Sequence, residues 1–314
     1  MNNSRALISF LRRLTPVCFV LLLATGVSLA SVDGTFEKTF QVNGPVQLEA
    51  LTHSGDIMVR SGPAGTVKIV GKIHVGTSWP FNGDKKAKVE EIQKNPPVRQ
   101  DGNSVRIDYV NMRDVAIDYE ITTPAETTLR AHSGSGNHDI DGLKGAVDLE
   151  SGSGDMQLRS LTGDVHTQTG SGNVRGRDIN GAIRASAGSG DIELDETGAG
   201  DITIHTGSGN IQLRGINGGL RADAGSGDIT AEGTQKNEWE VRTGSGNVRL
   251  RLPSEAAFDV DLNTSSGNID LDHPVITTVQ GRVNDSPHHT IAGKVHGGGP
   301  LLRVHTGSGD ISIR

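Results

Sequence analysis

Apolar and polar residues alternate over short stretches along most of this chain, and glycine interrupts the alternation at regular intervals. Ile183-Arg184-Ala185-Ser186-Ala187 sets Ile183 and Ala185 on one side and Arg184 and Ser186 on the other. Asp191-Ile192-Glu193-Leu194-Asp195 repeats the scheme after a Gly-Ser-Gly break. A period of two marks a strand with one buried face. Each unit therefore predicts two short strands and two turns.

The glycine breaks are themselves a repeat. A Gly-Ser-Gly-Asp/Asn element recurs with its second glycine at Gly136, Gly154, Gly172, Gly190, Gly209, Gly227 and Gly246, a step of 18 or 19 residues. A degenerate copy stands at Ser265-Ser266-Gly267-Asn268, and a full one closes the chain at Gly307-Ser308-Gly309-Asp310. His53-Ser54-Gly55-Asp56 reads as an early outlier. The segments 169–192 and 206–229 align without gaps. A single unit cannot bury its apolar face, but units stacked at the roughly 4.8 Å strand spacing share a thin continuous core. The predicted fold is all-β: a single-stranded parallel β-helix, or β-solenoid, of ~18-residue coils. Parallel crossovers are overwhelmingly right-handed, so right-handed coiling is expected.

Stacking makes residues one period apart into neighbours, and two columns follow. The residue after the second glycine forms a turn ladder of Asn137, Asp155, Asn173, Asp191, Asn210, Asp228 and Asn247, joined by Asn268 and Asp310. Alternating amide and carboxylate removes the repulsion of an all-Asp column, and Asn can donate to Asp. Four positions on, Asp141, Arg159, Arg177, Asp195, Arg214, Glu232, Arg251 and Asp272 run with nearly all neighbours of opposite sign. Exposed pairs contribute at most about 1 kcal/mol each, so this column sets register and solubility more than stability.

The chain divides at this level into residues 1–30, a β-rich start over 31–125 and the regular array over 126–314. Residues 31–75 read as opening strands of the same body as the array, and Val105–Ile121 as a return to strand. Asp84–Lys94 has helical composition, stops at Pro96-Pro97 and is expected to be one short capping helix, since a bare terminal coil exposes an unpaired edge. His273–Pro300 reads as a loop-rich interruption.

Composition fits this picture. Glycine is 43 of 314 residues and aromatics are 3%, which implies frequent turns and a narrow core. The first thirty residues have the form of an export signal: Arg5, Arg12 and Arg13 are basic, 17–23 is apolar, and Ser28-Leu29-Ala30 predicts cleavage after Ala30 by the general secretory route. The apolar stretch is shorter than a membrane span, so no stable membrane insertion is expected. Cys18, the only cysteine, lies inside that segment, which leaves the exported chain without disulfide or lipid anchor. The expected location is periplasmic, cell-surface or extracellular. A net charge of −7 argues against nucleic acid.

The Thr-Gly-Ser-Gly-Asn/Asp element followed by Ile/Val-x-Leu, together with the end Gly-Gly-Gly-Pro-Leu-Leu-Arg-Val-His-Thr-Gly-Ser-Gly-Asp-Ile-Ser-Ile (297–313), resembles the bacterial putative-adhesin family of exported β-solenoid proteins, over residues 35–314. The resemblance implies a β-helical body and an adhesive or envelope role, and it supplies no catalytic residues.

Other chemistry is weaker. Glycine turns can form anion-binding nests, but glycine's backbone freedom and Asx hydrogen bonding explain them as turns. Calcium β-rolls also have coils of about 18 residues, yet alternate coils here carry uncharged Asn and supply half the carboxylates a hard cation wants. His205 and His305 occupy equivalent outward positions, and His288-His289 sits in a loop; no metal site is expected. No cofactor is expected either. Asp191, Glu193 and Asp195 share one strand face, where a glycan-active β-helix hydrolase or lyase would carry its acids, but Arg177 and Arg214 account for Asp195 as ladder charge, and Trp79, Trp239, Tyr109 and Tyr119 are the only Trp and Tyr. The sequence therefore points to a non-enzymatic binding or structural scaffold for a surface, glycan or protein ligand, whose open ends would allow self-association.

Overall fold

The computed structural model describes residues 33–76, 85–277 and 289–314. They lie within one compact unit, Val32–Arg314. The export segment 1–30, Trp79, Asp84 and His288 fall outside the described residues.

Two sheets face each other across a narrow core. Every regular coil gives one strand to each: sheet B, of 14 strands, takes the strand before the Gly-Ser-Gly turn, and sheet A, of 13 strands, takes the strand after it. In sheet B, Val147 pairs with Val165, Val165 with Ile183, and Ile183 with Ile202. In sheet A, Val174 pairs with Ile192 and Ile192 with Ile211. These parallel pairings join residues 18 or 19 apart. The alternation read from the sequence is the burial pattern: Ile192, Leu194, Ile211 and Leu213 are at most 1% exposed, while Glu193 and Gln212 face outward. Bulky side chains gather at the ends of the stack. Trp239 and Phe258 lie towards one end, and Tyr119 and Phe36 towards the other, where the two rings meet edge-on at 6.4 Å.

The ends depart from the sequence expectation. Of residues 31–75, only the strands Val46–Ser54 and Ile57–Gly62 make a coil in register with the array. The strands Gly34–Gln41 and Thr66–Val75 pair antiparallel with each other, and Thr66–Val75 pairs antiparallel with Val115–Pro124, closing sheet A. The return to strand over 105–121 is two strands, Ser104–Ile107 in sheet B and Val115–Pro124 in sheet A. The helix spans Lys85–Lys94, buries Val89 and Ile92, and rests on the edge strand: Gln93 donates to the Thr35 carbonyl at 2.8 Å, and Gly34 leaves room for Val89, whose Cγ1 would lie 2.3 Å from an added Cβ.

At the other end, the segment expected to be loop contains strands. Val275–Thr277 and Thr290–Val295 pair antiparallel with each other, and the latter with Phe258–Ser266. Val295 is fully buried and Val275 and Ile291 pack against the core, while Ile276 faces solvent; that partial burial outweighs the turn-like composition around them. The final coil, Leu301–Ser308 and Ile311–Ile313, is last in sequence but not in space. It slots between the coil of Trp239–Ser245 and Val248–Arg251 and the coil of Phe258–Ser266 and Ile269–Leu271.

Candidate functional site

The Gly-Ser-Gly-Asx turns lie along one edge of the stack. Their serines are direct partners from Ser54 through Ser135, Ser153, Ser171, Ser189, Ser208, Ser226 and Ser245 to Ser308 and then Ser266. All nine ladder residues, Asn137, Asp155, Asn173, Asp191, Asn210, Asp228, Asn247, Asp310 and Asn268, fall in that one file, and Asp56 precedes them. In spatial order the file alternates Asp and Asn at every step, because Asp310 sits between Asn247 and Asn268.

One hydrogen bond repeats throughout. The backbone N–H of each member donates to Oδ1 of the member before it: Asn137 to Asp56 at 2.8 Å, Asn173 to Asp155 at 2.8 Å, Asn210 to Asp191 at 2.7 Å, Asp310 to Asn247 at 2.9 Å, Asn268 to Asp310 at 2.8 Å. Asp56 bonds in the same way to Asp118 Oδ1 at 2.9 Å. The amides of Asn137, Asn173, Asn210 and Asn247 donate back to the preceding Asp Oδ1 at 3.1–3.3 Å. Each such carboxylate oxygen thus receives two N–H groups, and the neighbour of each charge is neutral.

These contacts decide between turn and ligand site. The second-glycine amide is also consumed, as where Gly190 N–H donates to the Ser208 carbonyl at 2.9 Å. With the second-glycine and Asx amides both engaged by adjacent coils, the anion nest loses the donors it needs. Among the described residues no group of three His, Cys, Asp or Glu is placed to hold a metal ion; His205 and His305 face solvent. Glycine is required where backbones meet: Gly209 has φ +153°, and a Cβ there would lie 2.1 Å from the Gly190 carbonyl oxygen.

A second ladder escaped the sequence reading. Buried hydroxyls three positions before the second glycine donate to the second-glycine carbonyl of the neighbouring coil: Thr169 to Gly154 at 3.2 Å, Thr206 to Gly190 at 3.1 Å, Thr243 to Gly227 at 3.0 Å, Thr306 to Gly246 at 3.0 Å, Thr264 to Gly309 at 2.9 Å. The signal was the recurrent Thr of Thr-Gly-Ser-Gly. Two buried ionisable groups were also missed. His138 is fully buried with no partner at either ring nitrogen, and desolvation lowers its pKa to about 4. Glu196 takes the corner position that Ile179 fills one coil earlier; burial raises its pKa, while Oε1 accepts from Gly200 N–H at 3.0 Å.

The charged column is mixed. Arg159 meets Asp141 at 3.6 Å, Arg214 meets Asp195 at 3.2 Å, and Arg251 meets Glu232 at 3.2 Å. Two neighbours are alike, however: Arg159 pairs with Arg177, and Arg314 N–H donates to Leu250 while Leu252 N–H donates to Arg314, which sets Arg314 opposite Arg251 before Asp272 is reached. The inserted final coil causes the second of these, a neighbour that sequence order hides. Asp191, Glu193 and Asp195 are all engaged, the first by Asn210 and the other two by Arg214 at 3.2 Å each.

A family model described as Toastrack DUF4097 matches residues 46–195 and 141–314. The chain belongs to the Toastrack DUF4097 family. The two Toastrack matches overlap over 141–195, as repeated coils allow, since one pattern fits a periodic chain in more than one register. No curated protein matches the chain. Solved structures that are similar at low identity include one described as a putative cell adhesion protein from Clostridium sporogenes ATCC 15579, 11% identical over 89% of this chain and 98% of that one with TM-score 0.22, and one described as a putative adhesin from Bacteroides fragilis NCTC 9343, 14% identical over 90% and 98% with TM-score 0.34. The assignment to Toastrack rests on the family match alone.

Proposed function

We propose that this Toastrack chain is an exported, right-handed solenoid scaffold that presents long polar faces to a surface, glycan or protein partner in the periplasm or outside the cell. The observation that carries this reading is the unbroken Asp/Asn file, ten members from Asp56 to Asn268, each joined to the next by a backbone donor. At about 4.8 Å per step it runs on the order of 40 Å. Such a body is a stiff spacer whose outward side chains repeat at strand spacing, which suits binding over an extended contact. The carboxylates that a glycan-active enzyme would use, Asp191, Glu193 and Asp195, are held by Asn210 and Arg214, which supports the scaffold reading over the enzymatic one. The apolar segment 17–23 behind Arg12-Arg13 supports export.

The test has two arms. Cell fractionation with N-terminal sequencing should recover a chain beginning near Ser31 outside the cytoplasm. The purified protein should be retained on an isolated envelope fraction more strongly than an unrelated exported protein of similar charge; equal retention of the two removes the scaffold role.

A further inference from the structure

Sheet A carries a groove of about 490 Å³ on its outer face, beside the end of the stack where the final coil is inserted. Its floor is Ser312, whose short side chain lies in register between Arg249 on one strand and Asp270 on the next. Arg249, Arg251 and Arg314 line the same groove. Each already touches a carboxylate: Arg249 reaches Asp228 at 2.8 Å, Arg251 reaches Glu232 at 3.2 Å, and Arg314 makes only long approaches of 3.7–3.9 Å to Asp272 and Asp270. A guanidinium has five N–H donors in a fixed fork, so each keeps donors facing the groove. These side chains remain 55%, 71% and 67% exposed.

Arg251 and Arg314 are also direct cross-strand neighbours, the like-charge juxtaposition that destabilises a sheet. Elsewhere on this stack most such positions alternate in sign. A local rule broken at the rim of a concavity is where function is to be sought. We propose that this groove binds a carboxylate-bearing glycan, with Arg251 and Arg314 forking onto one carboxylate, Arg249 assisting, and Ser312 and Asn268 available to sugar hydroxyls. The inference rests on the scaffold reading and supplies its ligand class. Glu232, Asp270 and Asp310 also line the groove, so it suits a single anionic group amid hydroxyls better than the closely spaced phosphates of a nucleic acid. The exposed large apolar residues among those described, Tyr109 and Ile276, do not line it, so recognition there falls to charge and hydrogen bonding and not to ring stacking.

The full exported chain should bind alginate, measured by titration calorimetry, and should not bind neutral dextran. An Arg251→Gln/Arg314→Gln variant should lose at least tenfold in alginate affinity while its Tm stays close to that of the parent, since one repulsion and a few exposed ion pairs are removed together. Arg221→Gln/Arg303→Gln on sheet B, which changes the overall charge equally, should leave the affinity within twofold. Equal alginate binding by parent and Arg251/Arg314 variant overturns the proposal, as does dextran binding as tight as alginate, or duplex DNA binding that vanishes in that variant while alginate binding is absent. A parent that is retained on the envelope fraction yet ignores alginate sinks this groove and leaves the scaffold standing; a parent that binds alginate through Arg251 and Arg314 but not the envelope fraction does the reverse.

Discussion

Gly209 and His138 show how narrow the tolerance of single positions is in a stack of this kind. Replacing Gly209 by Ala adds a Cβ 2.1 Å from the Gly190 carbonyl at a backbone angle that side chains rarely adopt. The expected cost is above about 2 kcal/mol, seen as a lowered midpoint in urea unfolding. His138 couples stability to pH. Its folded pKa of about 4 lies below its ordinary 6.5, so the folded state favours the neutral ring; the stability is complete above pH 6.5 and falls as pH drops towards 4. A displacement of that size corresponds to about 3 kcal/mol lost across the window. His138→Met, matching its neighbour Met156 in the same buried file, should be more stable than the parent, by a margin that widens steadily between pH 6.5 and 4. A margin that stays constant over that range would refute the assignment. The His138 position was legible as inward-facing, but its isolation was not, because neighbours of a core side chain come from three coils and both sheets.

The Asp/Asn file is the unit that matters at the level of the element. Backbone donors would serve an all-Asn or an all-Asp column equally well, so the alternation is a matter of charge. Asn210→Asp inserts a carboxylate between those of Asp191 and Asp228, making three in consecutive steps, and removes the amide that donates to Asp191. Like neighbours raise the pKa of a carboxyl in the folded state, so the penalty is small where the column is protonated and grows as pH rises through the carboxylate range. The gap between variant and parent should narrow as pH falls through the carboxylate range and reach about 1–2 kcal/mol at pH 7 in thermal unfolding. Asp191→Asn, which extends neutral neighbours, should cost less at pH 7 than Asn210→Asp; the opposite order would refute a charge-based alternation. Much of this element could be read from sequence: the period, the turn residue and the alternation are all local. Asp56 was read as an outlying copy of the turn motif, but its place beside Asn137 was not legible because 81 residues separate the two, and the Thr file was overlooked because its hydroxyls bond across coils.

The described residues form a stack closed at one end by antiparallel strands with a helix on the edge, and at the other by the antiparallel strands Thr290–Val295 and Val275–Thr277 beside the coil of Phe258–Ser266, with the C-terminal coil inserted one step inside that end. Contacts in such a body are mostly between adjacent coils, so damage should stay local. Removing residues 301–314 takes away the strands between Val248–Arg251 and Ile269–Leu271 and breaks the file between Asn247 and Asn268. Limited proteolysis read by mass spectrometry should then find cleavage concentrated over 252–300 with coils up to Asp228 still protected, whereas cleavage spread evenly along the chain would contradict a stack of semi-independent coils. What the sequence determined by itself was everything carried by neighbours along the chain: strand periodicity, the 18- or 19-residue step, the turn chemistry and the inward and outward faces. Even the final insertion left a trace there, since Asn247, Asn268 and Asp310 break the alternation in sequence order and restore it in space. Only the tertiary structure decided which coil lies against which at the two ends, because strand pairing beyond one period depends on which open edge offers matching register and apolar surface. That choice, made between segments more than fifty residues apart, is what sets Arg314 opposite Arg251.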